Sequence, residues 1–275
     1  MISLGFSPCP NDTFIFYALV NKKIDTRGLD FDFIIEDVET LNRLALGGKS
    51  DVSKVSCHAF FHLQNEYRFL HTGGAFGRGC GPLVVAKGLR SPGDLSGKRI
   101  AIPGRLTTAF LLLKLFAVSL DFQPSDFVEM PFHEIMESVR GGKADAGLII
   151  HESRFTYPDY GLVRIADLGE WWEKETGLPI PLGGIAARKA LGPDVIRTIE
   201  ELIGESVKYS RLHRDEAMPY IRAHARELSE EVIAEHIALY VNDYTVDIGR
   251  DGQIALDKLL GAAHSGHSAT NSKTA

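Results

Sequence analysis

His151 stands directly after the apolar run Ala146-Gly147-Leu148-Ile149-Ile150. Such a run reads as a strand buried on both faces, so the chain leaves the core at the histidine. A histidine held there is partly stripped of water. Desolvation disfavours the imidazolium and leaves a neutral ring at pH 7, the form a general base needs. A buried histidine bonded to backbone has the same signature, so spacing alone leaves both accounts standing. Glu152 and Arg154 follow at once and are candidates to orient or screen the ring.

A second set of residues suits an anion. Asn11, Thr13, Thr107 and Thr108 fall at expected helix starts, where free backbone N–H groups and the helix dipole favour negative charge. Their side chains add donors for a carboxylate or for sugar oxygens. Ordinary N-capping calls for the same residue types. Lys54 lies in the small-residue strand Val52–Ser56, whose period of two turns Lys54 and Ser56 to one face. It is either a carboxylate partner beside a cleft or a solvent-facing edge lysine.

Other chemistries lack their motifs. Gly48-Lys49-Ser50 resembles the end of a phosphate-binding loop, but position 43 is Arg where that loop needs its first glycine. The glycine-rich stretch 73–81 does not follow G-x-G-x-x-G spacing and reads as a mobile or tightly turned crossing, with Arg78 a solvated residue or a substrate contact. Neither H-E-x-x-H nor G-x-S-x-G occurs. His58, His62 and His133 make no metal-like set, and no metal site is expected. His213, His224 and His236 fall on C-terminal helices and read as surface or packing residues, and Trp171-Trp172 as core packing.

The elements that must position these residues alternate. Strands are expected at 2–7, 29–35, 52–56, 83–86, 99–102, 127–130, 146–150, 162–166 and 180–187, with helices between most of them. From Pro193 onward the chain reads as helical, and residues 265–275 as a disordered tail. Alternation of strand and helix predicts an α/β protein with sheets covered on both faces.

The pattern also restarts. Gly47-Gly48-Lys49-Ser50-Asp51 recurs as Gly141-Gly142-Lys143-Ala144-Asp145, 94 positions later. Asn11-Asp12-Thr13-Phe14 has a counterpart in Thr107-Thr108-Ala109-Phe110, 96 positions later. One α/β unit used twice predicts two lobes: 1–88 with 190–264, and 89–189. Ligands of open α/β sheets bind beyond the carboxyl ends of strands, so 7–13, 56–58, 103–109 and 151–154 should line the cleft between the lobes.

Bulk composition narrows the partners. A net charge of −6 and few basic clusters argue against nucleic acid or an anionic membrane. Three cysteines without metal spacing fit a reducing compartment, and the N-terminus carries no basic and apolar leader pattern, so the cytoplasm is expected. The partner is then a small molecule, bound by a monomer or a homodimer.

Three strings sharpen this. Ser7-Pro8-Cys9-Pro10-Asn11-Asp12-Thr13-Phe14, Glu36-Asp37-Val38-Glu39-Thr40-Leu41-Asn42 and Gly147-Leu148-Ile149-Ile150-His151-Glu152-Ser153-Arg154-Phe155-Thr156-Tyr157 resemble the 1,4-dihydroxy-6-naphthoate synthases of menaquinone biosynthesis. The likeness runs from about residue 2 to about residue 250. It implies a two-lobed, periplasmic-binding-protein-like (type II) fold working as a lyase. The substrate would be cyclic dehypoxanthine futalosine, a carboxylate, and the product 1,4-dihydroxy-6-naphthoate, with no cofactor. It implies His151 as proton acceptor and ligand contacts at Lys54, Ser56, Thr107, Thr108 and Ala109, with Asn42 a further candidate. Val55-Ser56-Cys57-His58 departs from the family pattern around the kept serine, which bears on pocket shape. A chorismate-dehydrating sister enzyme and a non-catalytic binding protein of small anions are the competing expectations.

Overall fold

Two mixed sheets, each flanked by helices, carry the chain, and the computed structural model describes residues 1–225 and 229–271, with side chains through residue 264. In chain order the strands are β1 (Ile2–Phe6), β2 (Phe31–Ile35), β3 (Val52–Ser56), β4 (Tyr67–Phe69), β5 (Ala75–Gly77), β6 (Leu83–Ala86), β7 (Arg99–Ile102), β8 (Asp126–Glu129), β9 (Ala146–Ile149), β10 (Val163–Asp167) and β11 (Ile180–Arg188). The first sheet runs β2-β1-β3-β11-β4, with β5 also on β11; the second runs β10-β6-β9-β7-β8.

The sequence repeat is a repeat of topology. In the first lobe β1 pairs in parallel with β2 and β3; in the second β7 pairs in parallel with β8 and β9. The repeated string has one structural task in both copies. Gly47 and Gly141 end the helices Val38–Leu46 and Ile135–Arg140. The aspartate that closes the string then fastens the neighbouring strand: Asp51 Oδ2 accepts from the Ser3 N–H at 2.9 Å, and Asp145 Oδ2 from the Arg99 N–H at 2.8 Å.

The lobes divide the chain differently from the linear boundaries expected at 88/89 and 189/190. Strand β6 lies in the second sheet, between β9 and β10, and β11 lies in the first, between β3 and β4. Both crossings therefore come earlier, one after β5 and one after β10. Strand β11 suits the first sheet because its small residues admit close neighbours. A Cβ on Gly184 would stand 2.1 Å from the Phe69 ring, so the aromatic side chain packs where only glycine leaves room. The C-terminal helices return to the first lobe: Pro193–Leu212, Arg214–His224 and Glu230–Tyr240 all pack on the helix Pro10–Val20.

The expected tail is also corrected in part. The last helix runs Gly249–Asn271, so the backbone is helical well past residue 264, and residues 272–275 of the expected tail lie outside the described residues. Among the described residues no helix is long and apolar enough to cross a membrane.

Candidate active site

The carboxyl ends of β1, β3, β7 and β9 converge on one interlobe cavity. Of the residues expected at a site, His151, Lys54, Ser56, Asn11, Thr107, Thr108 and Ala109 line it. Asn42 and Thr13 do not. Thr13 turns inward, its hydroxyl donating to the Cys9 carbonyl at 3.1 Å, a local back-bond of the helix start.

His151 takes φ +56° as the chain leaves β9, a left-handed conformation uncommon outside glycine. That turn aims its side chain across the cleft. The ring meets Phe132 edge-on at 5.0 Å and lies nearly parallel to His236 at 6.3 Å. Burial pushes its pKa down to about 4, and the Asp12 carboxylate offsets this only partly. The ring is thus neutral at pH 7, as the apolar run before it predicts. Arg154 does not hold it: its guanidinium bonds the Gly79 and Gly81 carbonyls and Asp167 Oδ2, at 3.2, 3.0 and 2.7 Å. It fastens the first crossing between the lobes. Arg78 likewise faces away, bonded to the Gly177 carbonyl.

Cys9, His151 and Glu152 bring a thiol, a ring nitrogen and a carboxylate oxygen within 4.8 Å of one another. Burial, then the nearby Glu152, push the Cys9 thiol well up. Metal ligation wants a thiolate, so this cluster is better suited to shaping the surroundings of His151.

Lys54 is buried and already paired. Its Nζ stands 2.7 Å from Asp12 Oδ1 and 3.3 Å from the Gly73 carbonyl, which leaves one of its three N–H groups. Asp12 is the hub of this wall. Its Oδ2 accepts from the Ser7 N–H and hydroxyl at 3.1 and 2.7 Å, and its Oδ1 from Asn11 Nδ2 at 2.9 Å. An uncompensated cation in so dry a place would be costly; the aspartate neutralises it.

Asn42 acts through Ser56. Its amide clasps the serine from both sides, Oδ1 accepting from the Ser56 N–H at 2.9 Å and Nδ2 donating to Ser56 Oγ at 3.1 Å. The serine hydroxyl proton is left to point at whatever enters the cavity.

The two threonines expected to offer hydroxyls spend them internally. Thr107 caps the helix Thr108–Ser119, accepting from the Phe110 N–H and donating to the Gly104 carbonyl. Thr108 donates to the Leu182 carbonyl of β11 at 2.6 Å and accepts from the His58 N–H at 3.2 Å, so it ties the second lobe to the first. What this helix start offers a ligand is backbone: the N–H groups of Thr108 and Ala109 precede any intrahelical partner.

Ser7, Asp12 and His236 are among the lining residues that sequence reasoning missed. Ser7 and Asp12 fell within an expected cleft segment but drew no separate notice. His236 was placed with surface and packing residues, yet it is 1 % exposed and lines the cavity. No local signal marks it, because its hydrogen-bond partner Asn11 lies 225 positions away.

A two-lobed α/β protein with a histidine-lined interlobe cavity is the class that fold and site define. Solved structures share this architecture. One, from Archaeoglobus fulgidus, is 41% identical, with a TM-score of 0.88 over 96% of this chain and 97% of its own. A Candida albicans protein, described as having the generic periplasmic binding protein fold, is 15% identical, with a TM-score of 0.68 over 96% of this chain and 90% of its own. The chain belongs to the menaquinone biosynthesis family, whose model matches residues 2–265. The 1,4-dihydroxy-6-naphthoate synthase of Thermus thermophilus is 50% identical over 262 residues, 95% of this chain and 93% of that one. The enzyme of the same name from Streptomyces coelicolor is 44% identical, over 94% of this chain and 91% of its own.

Proposed function

We propose that this protein is a lyase, a 1,4-dihydroxy-6-naphthoate synthase acting on cyclic dehypoxanthine futalosine, with His151 as its general base. The observation that carries the reading is a neutral imidazole in a strained turn, facing a wall of fixed donors across the interlobe cavity.

The substrate brings an aromatic carboxylate and sugar-derived hydroxyls. The carboxylate suits the free N–H groups of Thr108 and Ala109 and the remaining N–H of Lys54. Ser56, held by Asn42, donates to a substrate oxygen. His151 removes a proton from the carbon framework. The carbon–carbon bond to the sugar-derived fragment then breaks heterolytically: an oxygen on the ring carbon becomes a carbonyl, the electron pair of the bond leaves with the fragment, which takes up a proton, and enolisation of the ring completes the second aromatic ring. Aromatisation supplies the driving force, so the step calls for no redox agent. The imidazolium formed is stabilised by the Asp12 carboxylate, the strongest opposite charge acting on it. Lobe contacts that exclude water keep the base in place.

The setting proposed for this activity is the cytoplasm, with a monomer or homodimer that needs neither nucleic acid nor membrane. The deciding experiment incubates purified protein separately with cyclic dehypoxanthine futalosine and with chorismate and reads products by mass spectrometry. 1,4-Dihydroxy-6-naphthoate from the first supports the reading. Dehydration of chorismate would establish the sister activity, and unchanged ligands would leave a binding protein.

A further inference from the structure

His236 lines the cavity and has no task in the proposed reaction. It sits on the helix Glu230–Tyr240 of the first lobe, 1 % exposed, against the Tyr240 ring at 4.7 Å. Its two ring nitrogens differ sharply. Nε2 lies 2.9 Å from Asn11 Oδ1, and Nδ1 is buried with no partner among the described residues.

The hydrogen-bond chain behind it settles where the proton resides. Asp12, ion-paired with Lys54, can only accept. The Asn11 group 2.9 Å from it is therefore the donating Nδ2, and the group turned toward His236 is the carbonyl oxygen. A carbonyl oxygen also only accepts, so His236 Nε2 must carry a hydrogen. In a neutral ring the second nitrogen is then bare. Burial and the nearby His151 both press the His236 pKa well down, so the ring stays neutral. Lys54, Asp12 and Asn11 thus fix the tautomer, and a lone pair on Nδ1 is left unpartnered on a residue that lines the cavity.

A buried acceptor without a donor is costly, and cavity walls keep one when a ligand supplies the donor. Around it the wall is mostly donating: Ser56 hydroxyl, Lys54 ammonium, and the N–H groups of Thr108 and Ala109. We infer that His236 is a specificity-determining residue whose Nδ1 accepts a hydrogen bond from a hydroxyl of the substrate. Carboxylates are read by the donors, and a hydroxyl is read by this acceptor. The inference rests on the reaction proposed above.

Two variants separate the ring nitrogens. His236→Gln keeps a polar group near the Nε2 position and loses the acceptor at Nδ1. His236→Asn places its amide near Nδ1 and restores an acceptor there. With cyclic dehypoxanthine futalosine, H236Q should raise KM about tenfold with kcat within about threefold, the loss of one neutral hydrogen bond made equally before and during reaction. H236N should keep KM near that of the wild type. A role in packing alone would lower thermal stability and leave KM unmoved. A kcat loss at constant KM, or equal KM in all three proteins, overturns the inference while leaving the reaction intact. Absence of turnover in the wild type overturns the reaction and this inference with it. Nitrogen NMR of wild-type protein labelled at histidine needs no variant. It should show a hydrogen on Nε2 and a bare Nδ1 whose resonance moves upfield on saturation with substrate. A hydrogen on Nδ1 in the substrate-free protein, or an unmoved resonance, defeats it.

Discussion

At the scale of single residues, the site turns on keeping one imidazole neutral. The apolar run before His151 announces this, and burial delivers it, with a pKa near 4. Two predictions belong here. Replacing His151 by Ala or Asn should lower turnover by about 10²–10⁴-fold, the usual worth of a positioned base, with ligand affinity changed little. Steady-state kinetics beside calorimetric binding would check this, and near-wild-type turnover in H151A would dismiss the assignment. The second concerns pH. A base must be unprotonated in the free enzyme, so kcat/KM should fall on acidification with a midpoint near 4 rather than near the ordinary 6.5. A midpoint at 6.5 would mean that the ring is hydrated. The same scale shows what residue types conceal. Lys54 reads as a free cation until Asp12 is found against it, and Thr107 and Thr108 read as ligand hydroxyls until their partners appear. A residue type states what a group can bond; only the fold states what has already bonded it.

At the scale of elements, most strands fall close to where apolar runs and turn residues put them, because both signals are local; the short β4 and β5 fall where no strand was expected. Sheet membership is not local. Nothing in Leu83–Ala86 says that it lies beside β9, or in Ile180–Arg188 that it lies beside β3, so both crossings were placed too late. The first crossing carries its own prediction. The chain passes Gly79 to Pro82 against the start of the helix Leu168–Thr176, where the Leu168 N–H donates to the Pro82 carbonyl at 3.0 Å. A Cβ on Gly169 would stand 1.8 Å from the Cys80 carbonyl oxygen, a backbone atom with nowhere to go. Gly169→Ala should therefore destabilise the protein by about 3 kcal/mol, the upper range for overpacking, and lower Tm by several degrees. An unchanged Tm in differential scanning calorimetry would show that the crossing yields freely.

At the scale of the whole molecule, the lobes are held together at their lips and kept free of charge imbalance between them. The Leu106 N–H of the second lobe donates to Glu39 Oε2 of the first at 3.2 Å, Arg43 pairs with Glu129, and Thr108 reaches the Leu182 carbonyl. Inside this closure two neutral histidines face each other, His151 from one lobe and His236 from the other. Both have ordinary values near 6.5 once unfolded; burial holds His151 at about 4 in the folded protein and presses His236 well below its ordinary value. Below pH 6.5 the unfolded chain therefore binds protons that the folded one refuses. Stability is untouched by these groups above that value and falls as pH drops through the window toward 4. Asp12, Lys54 and Asp37 act on His151 as well, so a raw Tm profile mixes several titrations. Comparison of wild type with His236→Gln isolates one proton. From pH 7 to pH 5 the wild type should lose stability more steeply, by a slope of about one proton. Parallel profiles would mean that His236 is already charged in the folded state, and the neutral pair across the cleft would have to be abandoned. A bound carboxylate should flatten both profiles, because an anion between the lobes favours the imidazolium of His151 and closes the gap between its folded and unfolded affinities for a proton.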